Sequence, residues 1–157
     1  MARVDNKAVL VTGASRGIGA ATALLAARRG WAVAVNYARD AQAAQAVVAQ
    51  IAAGGGTAFA IQADVADEAQ VLALYAAVDA RFGRLDALVN NAGIAIFKPL
   101  QDTGFDEWRA VLATNLDGPF LCTQAAVPLM LKHGGGAVVN IASISGLRAS
   151  TLRVAYG

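Results

Sequence analysis

The stretch that most constrains this chain is Val9-Leu10-Val11-Thr12-Gly13-Ala14-Ser15-Arg16-Gly17-Ile18-Gly19. An apolar run of strand length passes directly into a glycine-rich turn, and the turn opens an alanine-rich helix. In that order the helix start presents backbone N–H groups with no intrahelical partner, and the glycines let an anion's oxygens approach them. A pyrophosphate suits such a place. The spacing is G-x-x-x-G-x-G, not the commoner G-x-G-x-x-G, and a tight strand-to-helix connection without a ligand has similar glycines. The readable strand before the turn and helix after it favour the nucleotide.

The rest of the chain repeats the alternation. Ala8–Val11 reads as strand one and Ile18–Arg29 as the first helix, with Gly30 placed to stop it. Trp31–Asn36 is a second strand, apolar at nearly every position, as when both faces of a sheet are covered. Asp40 is placed to cap a helix over Ala41–Ala53, whose Ala44, Val47, Val48 and Ile51 recur at helical spacing. Gly54-Gly55-Gly56 ends it, and Thr57–Gln62 is strand three. Asp67 and Gln70 form a capping-box pattern ahead of an apolar stripe of Val71, Leu74, Tyr75, Val78 and Phe82. Leu85–Asn90 is strand four and runs into Asn90-Asn91-Ala92-Gly93. A loop around Lys98-Pro99 precedes a long helical region from about Phe105 to Leu131, which contains Asn115 and Pro128. Gly134–Gly136 breaks it, and Ala137–Ala142 is strand five. With no internal repeat and no low-complexity linker, residues 1–157 predict one α/β domain built on a doubly wound parallel sheet.

Composition removes several function classes. Of 157 residues, 57% are hydrophobic and 15% charged, the balance of a globular domain able to bury a core. The net charge is +2 and the thirteen Lys and Arg are scattered, so neither nucleic acid nor a membrane surface is an expected partner. The apolar start is interrupted by Gly13, Arg16 and Gly17, which argues against a signal peptide or a membrane span. Cys122 is the one cysteine, lies in an apolar helical stretch and reads as core in a reducing cytoplasm. His133, the one histidine, reads as a solvated helix-end residue, and no cluster of ligand types predicts a metal.

Four stretches in order now resemble the short-chain dehydrogenase/reductase family. They are Thr12–Gly19, Asp64-Val65, Asn90-Asn91-Ala92-Gly93, and Asn140-Ile141-Ala142-Ser143 followed thirteen residues later by Tyr156. The likeness covers the whole chain and is strongest to β-ketoacyl-carrier-protein reductases and related carbonyl or sugar reductases. It implies a Rossmann fold. It also implies that the turn from Gly13 through Ser15, Arg16, Gly17 and Ile18 to Gly19 carries the cofactor pyrophosphate. Asp64 and Val65 would flank the adenine, and Asn91, Ala92 and Gly93 would line the cleft. Tyr156 would be the acid/base and Ser143 would hold the substrate oxygen. Asn115 would anchor a water and distort its helix. Ser145, two residues beyond Ser143, lies off the family's serine-to-tyrosine spacing. Read without the family, Ser143 and Ser145 are strand-end serines, Asn115 is a helix irregularity, and Asp64 and Asn90-Asn91 are turn residues.

Cofactor choice has a physical argument. A carboxylate at the end of strand two bonds a ribose 2′-hydroxyl and repels a 2′-phosphate. Here that strand end reads Asn36-Tyr37-Ala38-Arg39, with no acid before Asp40. Arg16 in the glycine turn offers a guanidinium fork suited to phosphate. The expected cofactor is NADP(H) rather than NAD(H), with Asn36 and Arg39 among its neighbours; Arg39 reads equally well as a solvated loop residue.

One departure matters. The family's motif is Y-x-x-x-K, and the sequence ends at Tyr156-Gly157. An unperturbed tyrosine titrates near ~10, so holding its phenolate at neutral pH costs roughly 4 kcal/mol. A neighbouring cation reduces that cost. The family also places two strands beyond strand five; without them strand five would be an apolar, unpaired edge with no gatekeeping charge. The expectation is therefore a domain incomplete at its C-terminus, from an oxidoreductase that interconverts a carbonyl and an alcohol. The competing expectation is a catalytically silent nucleotide-binding or scaffold protein that ends at Gly157; retention of Asn115, Ser143 and Tyr156 speaks against it. An epimerase or dehydratase of the family's extended branch is disfavoured because the G-x-x-G-x-x-G turn is absent. Family analogy adds a homo-oligomer built through the helix around Asn115. Ile94, Ile96 and Phe97 suggest an apolar wall for a small-molecule substrate whose identity is not legible.

Overall fold

The computed structural model describes residues 7–148 and 151–157. Its strands are β1 (Ala8–Val11), β2 (Ala32–Tyr37), β3 (Ala58–Gln62), β4 (Ala87–Asn90) and β5 (Ala137–Asn140). All pair in parallel in the order β3-β2-β1-β4-β5. The chain winds outward from β1 to β3, then returns to build β4 and β5 on the other side of β1. That reversal lies between β1 and β4, and open α/β sheets bind ligands beyond the strand ends at such a point.

The helices are α1 (Gly17–Arg28), α2 (Ala41–Ala53), α3 (Glu68–Phe82), α4 (Phe105–Leu112) and α5 (Gly118–Leu131). Successive strand residues point to opposite faces, so β1 feeds two cores. Val9 and Val11 join Val33, Val35 and the apolar residues of α1 and α2. Ala8 and Leu10 join Ala34, Leu88 and the stripes of α3 and α5. The expected α3 stripe of Val71, Leu74, Tyr75, Val78 and Phe82 is buried throughout.

Local signals hold where local chemistry sets the boundary. Gly30 has φ +84° and donates its N–H to the Ala27 carbonyl at 2.9 Å, closing α1. Asp40 accepts the Ala43 N–H at 2.9 Å and opens α2. The Asp67 cap is formed, but its reciprocal arm differs from a capping box. Gln70 Oε1 accepts the Asp64 N–H at 2.9 Å, while Gln70 Nε2 donates to Asp67 Oδ2 at 2.9 Å. The glutamine thus ties the whole β3–α3 connection. These bonds hold the Asp67 carboxyl below its ordinary range, the Gln70 N–H contributing most.

Other boundaries shift. Strand two begins at Ala32 because Ala8 of β1 pairs there, and β4 begins at Ala87 because Val9 does. The long helix is two helices, separated by a wide π turn over Ala113–Asp117. At the sheet's outer side β5 is exposed, with Val138 38% and Val139 49% accessible, and Ile141 just beyond its end is exposed too.

Candidate active site

The glycine turn is fixed by its neighbours' backbones. Gly13 has φ +60° and Gly17 φ +58°, values that side chains other than glycine's rarely adopt. A Cβ on Gly13 would lie 2.9 Å from Ala92 Cα, and one on Gly19 would run into the Asn91 amide nitrogen. Three polar side chains hold this approach. Thr12 Oγ1 accepts the N–H groups of Asn91 at 2.9 Å and Ala92 at 3.0 Å. Asn91 Nδ2 donates back to the Thr12 and Gly13 carbonyls at 2.8 and 3.1 Å. Asn36 Oδ1 accepts the Gly13 N–H at 3.2 Å, and its Nδ2 donates to the Ala63 carbonyl at 3.0 Å.

Asn36 is 1% exposed, and both ends of its amide are spent inside the protein. Its amide shapes the turn. Thr12 makes comparable bonds, and its signal in the sequence is a hydroxyl between β1 and the first glycine.

The start of α1 is open. Arg16 stands at its N-cap with extended backbone and no side-chain cap, whereas Asp40 and Asp67 cap α2 and α3. Arg16, Gly17, Ile18 and Arg39 are exposed and Ser15 half-buried. Among the described residues no ion pair engages Arg16 or Arg39. The cradle fits a phosphate-bearing cofactor: N–H groups left over, no carboxylate nearby on strand two, and glycines where a Cβ would intrude. Asp64 is exposed and accepts the Ala66 N–H at 3.0 Å in a tight turn. Val65 is buried, and a Cβ on Gly118 would come within 2.9 Å of it. The Val65 side chain therefore belongs to the core, beside the start of α5.

Asn115 lies in the π turn, as its expected distortion requires. Its Oδ1 accepts the Ile94 N–H at 2.9 Å and its Nδ2 donates to the Ile94 carbonyl at 2.8 Å. The amide thereby draws the segment after Gly93 onto the helix. Nearby, Asn90 Nδ2 donates to Asn140 Oδ1 at 2.8 Å and joins β4 to β5.

Ser143 and Tyr156 sit beyond the end of β5. Ser143 caps a short 3-10 turn over Ile144–Gly146, its Oγ accepting the Ser145 N–H at 3.2 Å. Ser145 is the buried serine at 4% exposure, and its Oγ receives a hydrogen bond from Arg153 Nη1 at 2.9 Å. The Tyr156 and Gly157 N–H groups donate to the Arg153 carbonyl at 3.2 and 2.9 Å. A Cβ on Gly157 would lie 3.1 Å from the Ser145 carbonyl, so the tyrosine turn rests on the serine turn. Ile94 and Phe97 of the expected apolar wall are exposed, and the Arg153 guanidinium covers the Phe97 ring at 4.9 Å.

Other reactive groups lie elsewhere. Cys122 is buried, and burial pushes its thiol up to about 11. Tyr75, packed beside it, is pushed well above the ordinary tyrosine range by burial. Neither serves as a nucleophile at neutral pH. His133 is exposed, its Nε2 2.9 Å from the Gly83 carbonyl. Among the described residues no three His, Cys, Asp or Glu converge as a metal site.

The sequence pattern that defines the short chain dehydrogenases matches residues 7–157. The chain belongs to that family. It is 46% identical over 156 residues to a 3-oxoacyl-[acyl-carrier-protein] reductase of Synechocystis, covering 99% of this chain and 63% of the relative. It is 50% identical over 140 residues to the Staphylococcus aureus protein of the same description, covering 89% and 57%. An uncharacterized oxidoreductase of Escherichia coli is 49% identical over 140 residues, covering 87% and 57%. The chain thus spans about three fifths of the length of these relatives.

Proposed function

We propose that the protein is an oxidoreductase that passes a hydride between NADP(H) and a carbonyl or alcohol substrate. The observation that carries the reading is the tyrosine turn resting on the serine turn, beyond the C-terminal end of β5 in a sheet whose β1 and β4 ends form a glycine cradle. A silent nucleotide binder needs the cradle but has no chemical use for Ser143 and Tyr156 together.

Gly13, Gly17, Gly19 and the open start of α1 would hold the pyrophosphate. Ser15, Arg16 and Arg39 would meet a 2′-phosphate, and no strand-two carboxylate repels it. Asp64 and Val65 would flank the adenine through their backbone, and Asn91, Ala92 and Gly93 would line the cleft. Bound there, the nicotinamide supplies or takes the hydride. Ser143 Oγ already accepts the Ser145 N–H, which leaves its own O–H to donate to the substrate oxygen and to strengthen as charge develops there. Tyr156 gives a proton to that oxygen in reduction and takes one in oxidation. A water held near Asn115 would connect this proton to solvent. The family's lysine, due at the fourth residue after Tyr156, would lower the cost of the phenolate. The described relatives make a 3-oxoacyl thioester the first substrate to try. A homo-oligomer and a cytoplasmic location complete the proposal; no helix of the described residues is long and apolar enough to cross a membrane.

Reading the coding sequence past Gly157 for that lysine comes first, with intact mass of the purified protein. NADPH consumption with 3-oxoacyl thioesters follows. Tyr156→Phe and Ser143→Ala are each expected to lower kcat by roughly 10²- to 10⁴-fold, with NADPH binding unchanged by fluorescence titration. A protein that carries the lysine and binds NADPH, yet turns over no carbonyl or alcohol, overturns the enzyme reading in favour of the silent binder.

A further inference from the structure

We infer that Arg153 is a positioning residue, fastening the turn that carries Ser143 to the turn that carries Tyr156. It rests on the proposed function for its kinetic consequence, though not for its geometry.

The fastening uses both ends of one residue. At the side-chain end, Nη1 donates to Ser145 Oγ at 2.9 Å, and the Ser145 N–H in turn donates to Ser143 Oγ at 3.2 Å. At the main-chain end, the Arg153 carbonyl accepts from Tyr156 and Gly157 at 3.2 and 2.9 Å. Ser145 is 4% exposed, so the bond it receives is shielded from competing water. Ser143 and Tyr156 are thus connected through Ser145 and Arg153, besides the longer path along the chain.

The guanidinium also covers the Phe97 ring at 4.9 Å. The backbone beside it pairs with the same loop: the Lys98 N–H donates to the Leu152 carbonyl at 3.0 Å, and Lys98 and Arg153 form a parallel bridge. Leu152 stands at φ +63°, a conformation leucine rarely takes. Such a conformation persists where surrounding contacts over-determine it. Among the described residues no carboxylate pairs with Arg153. The task needs a group that donates to Ser145 Oγ while its charge sits over the Phe97 ring. Lysine, a compact point charge, cannot do both.

The test uses the protein with its complete coding sequence. Arg153→Ala should lower kcat by roughly 10- to 100-fold, the scale of a small misplacement of reacting groups. NADPH affinity should stay unchanged, because the glycine cradle is held by other strands. Free guanidinium should restore part of the lost kcat, and Arg153→Lys should recover less than half of it. Ser145→Ala, which removes the acceptor, should reproduce the loss, and the double variant should add little to either single one. Hydrogen exchange gives a readout without turnover: the Ser145 and Tyr156 amides should exchange faster in Arg153→Ala, with Asn91 and Ala92 unchanged. If Arg153→Ala does not fold, the same two measurements on Ser145→Ala decide the matter. Wild-type kcat in these variants, or unchanged exchange at Ser145 and Tyr156, overturns the inference. A wild-type protein that turns over nothing sinks the proposed activity instead, and the exchange result then decides the fastening alone.

Discussion

The two halves of the candidate site are built differently. The glycine turn is held from inside the sheet. Thr12, Asn36 and Asn91 lie at the ends of three adjacent strands, and their bonds reach across 23 to 80 residues of sequence. The Ser143–Tyr156 corner stands on the exposed outer strand; its side-chain hydrogen bonds span only 2 and 8 residues, Arg153 is the main fastener, and its longer ties run to the single loop at Phe97 and Lys98. A turn assembled by sheet pairing is as rigid as the sheet. A corner assembled from local turns depends on each single contact.

The sharpest way to break this contrast is at Gly13. Gly13→Val places a branched side chain at φ +60° with its Cβ 2.9 Å from Ala92 Cα, which is backbone and cannot turn aside. A loss of roughly 3–5 kcal/mol is expected, combining backbone strain with overpacking. Urea denaturation reads the stability, and fluorescence titration reads the accompanying loss of NADPH binding. Full stability with normal binding would show that the β1 and β4 turns can separate freely.

Asn36→Ala should cost less. It leaves the half-buried Gly13 N–H and the buried Ala63 carbonyl without their side-chain partner, a penalty of about 1–3 kcal/mol for such groups. NADPH affinity should fall with stability while any Ser143–Tyr156 chemistry, measured at saturating NADPH, holds its kcat. Equal loss of kcat at saturation would mean the two halves are coupled and the comparison too sharp.

Much of this molecule was legible because some boundaries are set locally. Asp40 and Gly54 bracket α2 with chemistry contained in the helix itself, so Ala41–Ala53 was read residue for residue. The positive φ of Gly13 and Gly17 follows from their place in a strand-to-helix turn. What failed depended on distant partners. The break between α4 and α5, expected at Asn115 from the family resemblance alone, lies where Asn115 bonds Ile94, 21 residues away, and no periodicity in the helix itself shows it. Asn36 reads as a strand-end polar residue facing a ligand, and only the fold reveals that β1 and β3 use up its amide. Arg153 reads as one more scattered charge, since its role exists only once Phe97 and Ser145 converge on it.

The smallest expected effect sharpens the contrast from the weaker side. Leu152 holds φ +63° and is 45% exposed, so little packing is lost on removal of its side chain. Glycine adopts that conformation readily but is more flexible in the unfolded chain. Leu152→Gly should therefore change stability by less than about 1 kcal/mol in either direction. The backbone bond from Lys98 to the residue-152 carbonyl needs no side chain and should survive. If the conformation is simply tolerated, kcat stays at the wild-type value. If the strained leucine limits where Arg153 can sit, relaxing it lets the guanidinium drift from Ser145 and Phe97, and kcat falls while melting temperature does not. The size of that split, set against a Gly13 variant in which stability and binding fall together, measures how far the Ser143–Tyr156 corner depends on one backbone conformation rather than on the sheet.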